Sequence, residues 1–179
     1  MKITAVTIFC GSKPGANPAY ISSAQVLGAS LASKDITLIY GGGNKGIMGA
    51  VANACLDNGG KIIGIIPKLL LEWEAQHEGL TELIVTDSMH SRKLLLYDKC
   101  DVAIILPGGM GTMDELFEML TWNNLGIHQK KVFILNTNGY YNSLIHLLDK
   151  MDEQGFMYEN WRTKLIVCEN TSELINAIS

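Results

Sequence analysis

Arginine is scarce in this chain of 179 residues, because only Arg92 and Arg162 are found among its 14 basic residues. Acidic residues number 18, so the formal charge at pH 7 is −4. Proteins that bind the backbone of DNA or RNA usually carry clustered basic residues, since each phosphate contact needs a cation or another donor. The composition therefore argues against a nucleic-acid polymer as the partner.

Long apolar runs and a targeting segment are also lacking. No run approaches the ~20 apolar residues that a membrane-spanning helix needs. The first strand-like segment begins almost at Met1, without the basic start and small-residue cleavage site of a secretory signal. We therefore expect a cytoplasmic protein that has no membrane association.

Cysteine and histidine are present without the spacing of a metal site. No two cysteines form a Cys-x-x-Cys pair, and no histidine is spaced to complete a zinc site with them. Free cysteine is among the most buried residue types. We therefore expect no metal and four reduced, mostly buried thiols, at Cys10, Cys55, Cys100 and Cys168.

Apolar residues make up 47% of the chain, and no linker-like stretch interrupts it, which predicts one domain over 1–179. Short β-rich runs alternate with helix-like stretches, and the runs cover 3–9, 36–40, 61–67, 82–87, 101–107, 131–136 and 164–168. Most runs are continuously apolar, which is typical of strands covered on both faces. The pattern predicts an α/β fold: a doubly wound, Rossmann-like, mostly parallel sheet of about six or seven strands with helices on both faces.

Ligands of such sheets bind at the carboxyl ends of the strands, so the strand-to-helix turns are candidate sites. The turn "GGGNKG" (41–46) matches the dinucleotide motif G-x-G-x-x-G. However, the next strand ends "GIIPKLL" without the acidic residue that would hold a ribose, and Gly46 is not followed by the Lys-Ser or Lys-Thr of a Walker A loop. A phosphate cradle and close packing of helix on sheet both remain open for this turn.

A second turn, "PGGMGTMDE" (107–115), combines glycines with the start of a predicted helix. Glycines expose backbone amides, and a helix N-terminus carries a positive partial charge, so the turn suits a phosphate. Thr112 and Glu115 also match a capping box, in which each side chain bonds to the other residue's backbone. The amphipathic pattern after Thr112 predicts a helix over 113–124, whose apolar face could be core or an interface.

The stretch "MHSRK" (89–93) places Arg92 and Lys93 at the start of another predicted helix. Cations are unfavourable there unless they meet an anion, which favours a ligand role for Arg92. Met89 could line a pocket for a base, although apolar residues near helix starts more often belong to the core.

Taken together, "YGGGNKGIMG" (40–49), "MHSRK" (89–93) and "PGGMGTMDE" (107–115) resemble the Lonely Guy family of cytokinin-activating enzymes, long mislabelled as lysine decarboxylases. The similarity runs over nearly the whole chain. This sequence departs from the family pattern at few positions. Lys13 stands where the family often has a second serine, and Lys131 stands where a proline is common.

The resemblance implies hydrolysis of the N-glycosidic bond of adenosine 5′-monophosphates with an N6 substituent, giving a free base and ribose 5-phosphate. It implies no metal or organic cofactor, and commonly a homodimer. By position it assigns catalysis to Arg92 and Glu115, and phosphate and ribose binding to Gly42, Gly43, Lys93, Gly108, Gly109, Gly111 and Thr112. A general AMP nucleosidase and a non-catalytic nucleotide or cofactor carrier are the alternatives.

Overall fold

A computed structural model describes residues 2–71 and 77–179, and seven strands in this part of the chain form one parallel sheet. The strands are β1 Ala5–Phe9, β2 Thr37–Tyr40, β3 Ile62–Pro67, β4 Glu82–Thr86, β5 Val102–Ile105, β6 Val132–Leu135 and β7 Leu165–Cys168. Their order is β4-β3-β2-β1-β5-β6-β7. The chain first builds outward on one side of β1 and then on the other, so the turns after β1 and β5 diverge at a topological switch point.

Six α-helices in the described part of the chain cover the sheet: α1 Pro18–Ser33, α2 Gly46–Asp57, α3 Met89–Asp98, α4 Met110–Asn124, α5 Asn142–Glu153 and α6 Thr171–Ala177. The first begins with Pro18 at its first position, where a missing amide hydrogen costs nothing, and the Asn17 side chain accepts a hydrogen bond from the Ala19 amide at 3.0 Å. None of the described helices is long and apolar enough to cross a membrane.

Two apolar cores lie on opposite faces of the sheet, because neighbouring strand residues point to opposite sides. In β1, Ile8 packs in the core formed with α1, α2 and α6, whereas Phe9 packs in the core formed with α3, α4 and α5. The four cysteines are all free and buried, as expected. The predicted α/β, doubly wound architecture with helices on both faces is confirmed.

Candidate active site

The switch point between β1 and β5 opens into a cavity of about 540 Å³. This volume falls within the range of roughly 300–1,000 Å³ that is usual for small-molecule sites. Its walls come from the turn after β1, the glycine turn after β5, and side chains of α3 and α4. The residues that line it include Cys10, Gly11, Ser12, Lys13, Gly41, Arg92, Gly108, Gly109, Met110, Gly111, Thr112, Glu115 and Tyr140.

Gly11 joins the two glycine turns through its backbone. Its amide donates to the Pro107 carbonyl at 3.0 Å, and its carbonyl accepts from the amides of Ile47 and Met48 at 3.1 and 3.3 Å. The second and third amides of α2, those of Ile47 and Met48, are therefore already bonded and are not offered to an anion. A Cβ on Gly46, whose φ is +58°, would lie 2.5 Å from the Lys13 backbone. Close packing thus accounts for the end of the 41–46 turn, and the phosphate interpretation is not needed there.

The start of α4 differs from the sequence prediction. The helix begins at Met110, and its N-cap is Gly109, which has no side chain to cap it. Thr112 is the third helical residue rather than the N-cap, so the capping box that was one alternative for Thr112 and Glu115 does not form, and the predicted start at 113 is wrong by three residues. Gly109 already adopts an extended conformation (φ −94°, ψ −151°) that lets the helix begin after it.

This uncapped helix end has the properties of an anion site. Gly109 offers no side-chain acceptor to the amides of the first turn, from Met110 to Thr112, and the residues that carry these amides line the cavity. Unsatisfied amides and the positive end of the helix dipole both favour a bound anion. The glycine turn after β5 is therefore the part of the site best suited to a phosphate.

Gly108 is held by tight packing, which gives a testable contrast with its neighbour. A Cβ on Gly108 would lie 2.8 Å from the Gly11 amide nitrogen and even closer to the Thr112 hydroxyl, whereas a Cβ on Gly109 would meet nothing within 4 Å. We expect Gly108→Ala to lower the free energy of unfolding by about 1–3 kcal/mol through overpacking. Gly109→Ala is the matched control and should lower the free energy of unfolding by less than about 1 kcal/mol, the usual preference for glycine over alanine at an N-cap. Urea denaturation of both variants checks this, and equal stabilities would contradict the packing described.

Arg92 lies in the first turn of α3 but does not face the amides of its own helix. Those are capped instead by Ser88 and Ser91, which bond to each other's backbone amides at 3.1 and 3.2 Å. The Arg92 side chain is 7% exposed, and its Nε donates to the Ile65 carbonyl at 3.0 Å and its Nη2 to the Gly41 carbonyl at 3.4 Å.

The Arg92 guanidinium is therefore fixed by two carbonyls at the carboxyl ends of β3 and β2. In residues 2–71 and 77–179, no carboxylate lies within ion-pair distance of it. Burying a cation is costly, and an anionic or strongly polar ligand in the cavity would compensate this cost.

Glu115 is half-buried, lines the cavity and lies one helical turn beyond Thr112. Burial first, and the charge of Glu115 second, raise the pKa of the Cys10 thiol, so Cys10 stays protonated near neutral pH. The cavity therefore holds an ionisable carboxylate beside an inert thiol.

Four residues assigned to the site from the sequence lie outside the lining of this cavity. Lys93 pairs with Asp114 at 2.7 Å and Glu118 at 3.2 Å, which ties α3 to α4. Gly42 and Gly43 are buried, and the Gly42 carbonyl accepts from the His77 amide at 3.0 Å. The Met89 side chain is partly exposed at the start of α3. The structure brings together Arg92, Gly108, Gly109, Gly111, Thr112 and Glu115, and leaves these four apart.

Three residues of the cavity wall, Gly11, Ser12 and Tyr140, were not individually predicted, although the turn that holds the first two is a candidate site from its sequence. The first two belong to "CGSKPG" (10–15), a glycine-containing turn after the first strand, which marks a switch-point turn by its position. Tyr140 comes from the turn after β6, and its hydroxyl donates to the Gly108 carbonyl at 2.6 Å. In the sequence, Tyr140 belongs to the stretch "NGYYNSL" (138–144), and no other local feature marks it as part of a site.

The chemistry available in the cavity is anion binding beside a carboxylate. Helix amides and the Arg92 guanidinium supply the donors, and Glu115 supplies the acid. Among the described residues, no group of three or more histidine, cysteine, aspartate or glutamate side chains could hold a metal ion.

Solved structures with the same fold include two proteins related to the molybdenum cofactor. The molybdenum cofactor binding protein from the phototrophic bacterium Rippkaea orientalis has a TM-score of 0.72 and 21% identity, and the match covers 99% of this chain and 96% of that one. The Moco carrier protein from Chlamydomonas reinhardtii has a TM-score of 0.73 and 20% identity, with the same coverage of 99% and 96%. At this level of identity the likeness establishes the fold alone.

Sequence comparison is more specific. Residues 48–178 match the model of a family described as possible lysine decarboxylase. The chain is 43% identical over 174 residues to the cytokinin riboside 5′-monophosphate phosphoribohydrolase of Rhodococcoides fascians, covering 97% of this chain and 88% of that protein. It is 42% identical over 177 residues to an enzyme of the same name from Arabidopsis thaliana, covering 99% and 82%. The resemblance read from the three motifs is thereby confirmed, and the chain belongs to the family of the cytokinin riboside 5′-monophosphate phosphoribohydrolases.

Proposed function

We propose that this protein hydrolyses the N-glycosidic bond of adenosine 5′-monophosphates, including those with an N6 substituent, to a free base and ribose 5-phosphate. The observation that carries the proposal is the pairing, on α4, of an uncapped N-terminus with Glu115 one turn further on, both at the wall of one cavity. Relatives that are 42–43% identical over nearly the whole chain are named for this reaction.

The 5′-phosphate would bind at the amides of the first turn of α4, with the Thr112 hydroxyl beside them. Glu115 lies three residues beyond Thr112, roughly 4.5 Å along the helix axis, which suits a ribose between the phosphate and the carboxylate. Binding of the phosphate, which takes no part in the bond cleavage, would then fix the sugar against Glu115.

Cleavage of an N-glycoside passes through a sugar with oxocarbenium character. The Glu115 carboxylate would stabilise that positive charge and orient the attacking water. The water oxygen bonds to C1′, the bond from C1′ to the base nitrogen breaks with its electron pair going to the base, and the base takes up the proton that water releases. This route uses no metal or organic cofactor.

Arg92 would orient the substrate. A guanidinium has five N–H donors in a planar arrangement, and Ile65 and Gly41 use two of them. The remaining donors would bind an anionic or polar group of the substrate, with the direction of the guanidinium already fixed by the two carbonyls.

The proposal is tested by incubating the protein with AMP and with isopentenyladenosine monophosphate and measuring free base by chromatography. We expect release of base from both nucleotides, and at most very slow release from adenosine, which lacks the phosphate that positions the sugar. The ratio of kcat/KM for the two nucleotides decides between a general AMP nucleosidase and an enzyme that prefers an N6 substituent. Binding of AMP without release of any base would refute the enzyme and leave the carrier alternative.

Neither alternative class is favoured by a specific contact. A carrier does not need a carboxylate beside the sugar, and the likeness to molybdenum cofactor carriers concerns the fold. Decarboxylation of lysine, which the description of the family model suggests, relies on pyridoxal phosphate bound to a lysine. Among the described residues that line the cavity, Lys13 is the single lysine, and it is exposed.

The domain organisation, the oligomeric state and the cellular location of the protein stay predictions. We propose that residues 1–179 act as one nucleotide-phosphate-binding hydrolase domain. Assembly as a homodimer follows from the family resemblance, and light scattering would measure it. A cytoplasmic location follows from the sequence, and fractionation of cells that express the protein would test it.

A further inference from the structure

Two adjacent tyrosines from the turn after β6 bond to the backbone of the glycine turn after β5. The Tyr140 hydroxyl donates to the Gly108 carbonyl at 2.6 Å, and the Tyr141 hydroxyl donates to the Leu106 carbonyl at 2.7 Å. The two carbonyls flank Pro107, so both sides of the proline are tied to one neighbouring turn.

The turn that presents these hydroxyls is itself held firmly. The Tyr141 amide donates to the side chain of Asn136 at 2.8 Å, and Asn136 is buried. Two consecutive residues, Asn138 and Gly139, adopt positive φ values of +52° and +69°, which reverse the chain just before the tyrosines. The Tyr140 ring packs edge-on against Tyr141, with centroids 4.8 Å apart.

The two tyrosines differ in what else they face. Tyr141 is 2% exposed and belongs to the apolar core, whereas Tyr140 is 43% exposed and lines the cavity. The Gly108 carbonyl and the Gly109 amide belong to the same planar peptide unit and point in opposite directions. A hydroxyl that holds the carbonyl therefore also fixes the direction of the amide at the N-cap of α4.

We propose that Tyr140 is a positioning residue for the anion site. Its hydroxyl donates a hydrogen bond to the Gly108 carbonyl. This bond orients the peptide plane between Gly108 and Gly109 so that the start of α4 can bind a phosphate. This inference rests on the proposed function only in taking the anion to be the phosphate of the substrate. Tyr141 anchors the other end of the same turn from the core.

The test replaces Tyr140 by phenylalanine, which removes the hydroxyl and keeps the ring packing. Losing one net hydrogen bond is expected to weaken binding of ribose 5-phosphate about threefold to tenfold in isothermal titration calorimetry, and binding of AMP by the same factor when both proteins also carry Glu115→Gln, which slows its hydrolysis. Binding of adenosine, which lacks the phosphate, should change less than twofold, and kcat at saturating AMP should change much less than KM. Tyr158→Phe is the matched control, because Tyr158 is 96% exposed, and it should change none of these values.

Three outcomes would overturn the inference: unchanged affinity of Tyr140→Phe for ribose 5-phosphate, equal losses for AMP and adenosine, or a wild-type protein that binds neither phosphate ligand. Failure of the proposed function is distinguishable from these outcomes. A wild-type protein that binds ribose 5-phosphate but releases no base from AMP refutes the hydrolase alone, and the weaker phosphate binding of Tyr140→Phe would still support the positioning role.

Discussion

Replacing Glu115 by glutamine is expected to lower kcat for release of base from AMP by about a thousandfold, while AMP still binds. Glutamine has nearly the shape of glutamate but no negative charge, so it cannot stabilise a developing positive charge on the sugar. The phosphate donors, at the start of the same helix, are unchanged by this substitution. Single-turnover measurements of base release, with AMP affinity from calorimetry, separate the chemical step from binding.

Asp114 supplies the matched control for this experiment. It precedes Glu115 on α4, its side chain is 61% exposed, and it pairs with Lys93 rather than lining the cavity. Asp114→Asn should therefore change kcat by less than about threefold, since Lys93 keeps its second partner, Glu118, at 3.2 Å. Equal losses in the two variants would mean that the overall charge of this turn matters, and not the carboxylate of Glu115. A loss of AMP affinity in Glu115→Gln without a loss in kcat would make Glu115 a ribose ligand only.

The sheet was predictable because its signal is local. Each strand of a parallel sheet covered on both faces is a short apolar run, and the seven runs seen in the sequence correspond to the seven strands of the described chain. The cavity lies at one of the strand-to-helix turns that were candidate sites, the glycine turn 107–112, but the strand order that makes this turn the switch point was not predicted.

The start of α4 was mispredicted for a physical reason. Thr112 and Glu115 have the types and spacing of a capping box, and that pattern is indistinguishable in sequence from a threonine and a glutamate used for something else. Two glycines upstream let the helix begin at Met110 instead. The capping box of α3 was missed in turn, because Ser91 fills the position where glutamate or glutamine is usual.

Lys93 and Tyr140 show what local patterns cannot reveal. Lys93 follows Arg92 in sequence, but successive residues of a helix point about 100° apart, so the two side chains face different neighbours. Arg92 donates hydrogen bonds to the carbonyls of Ile65 and Gly41, whereas Lys93 forms ion pairs with the carboxylates of α4. The bond from Tyr140 to Gly108 joins residues 32 positions apart, which only the packing of β5 beside β6 brings together.

Replacing Arg92 by lysine is expected to lower kcat/KM for AMP by about a hundredfold, although the charge is kept. The single ammonium of lysine cannot reproduce a planar fork whose donors reach Ile65, Gly41 and the substrate together. At least one buried carbonyl then loses its donor, so the free energy of unfolding should fall by about 1–3 kcal/mol in urea denaturation.

Arg162→Lys is the matched control for the Arg92 substitution. Arg162 is the other arginine of the chain and pairs with Asp149 on the surface, with Nη2 to Oδ2 at 3.1 Å. Its replacement should leave kcat/KM within about twofold of wild type, because exposed pairs contribute little. Near wild-type activity of Arg92→Lys would instead mean that a positive charge at this place is sufficient. The two backbone bonds of Arg92 would then serve stability, and the geometry of the guanidinium would have no part in orienting the nucleotide.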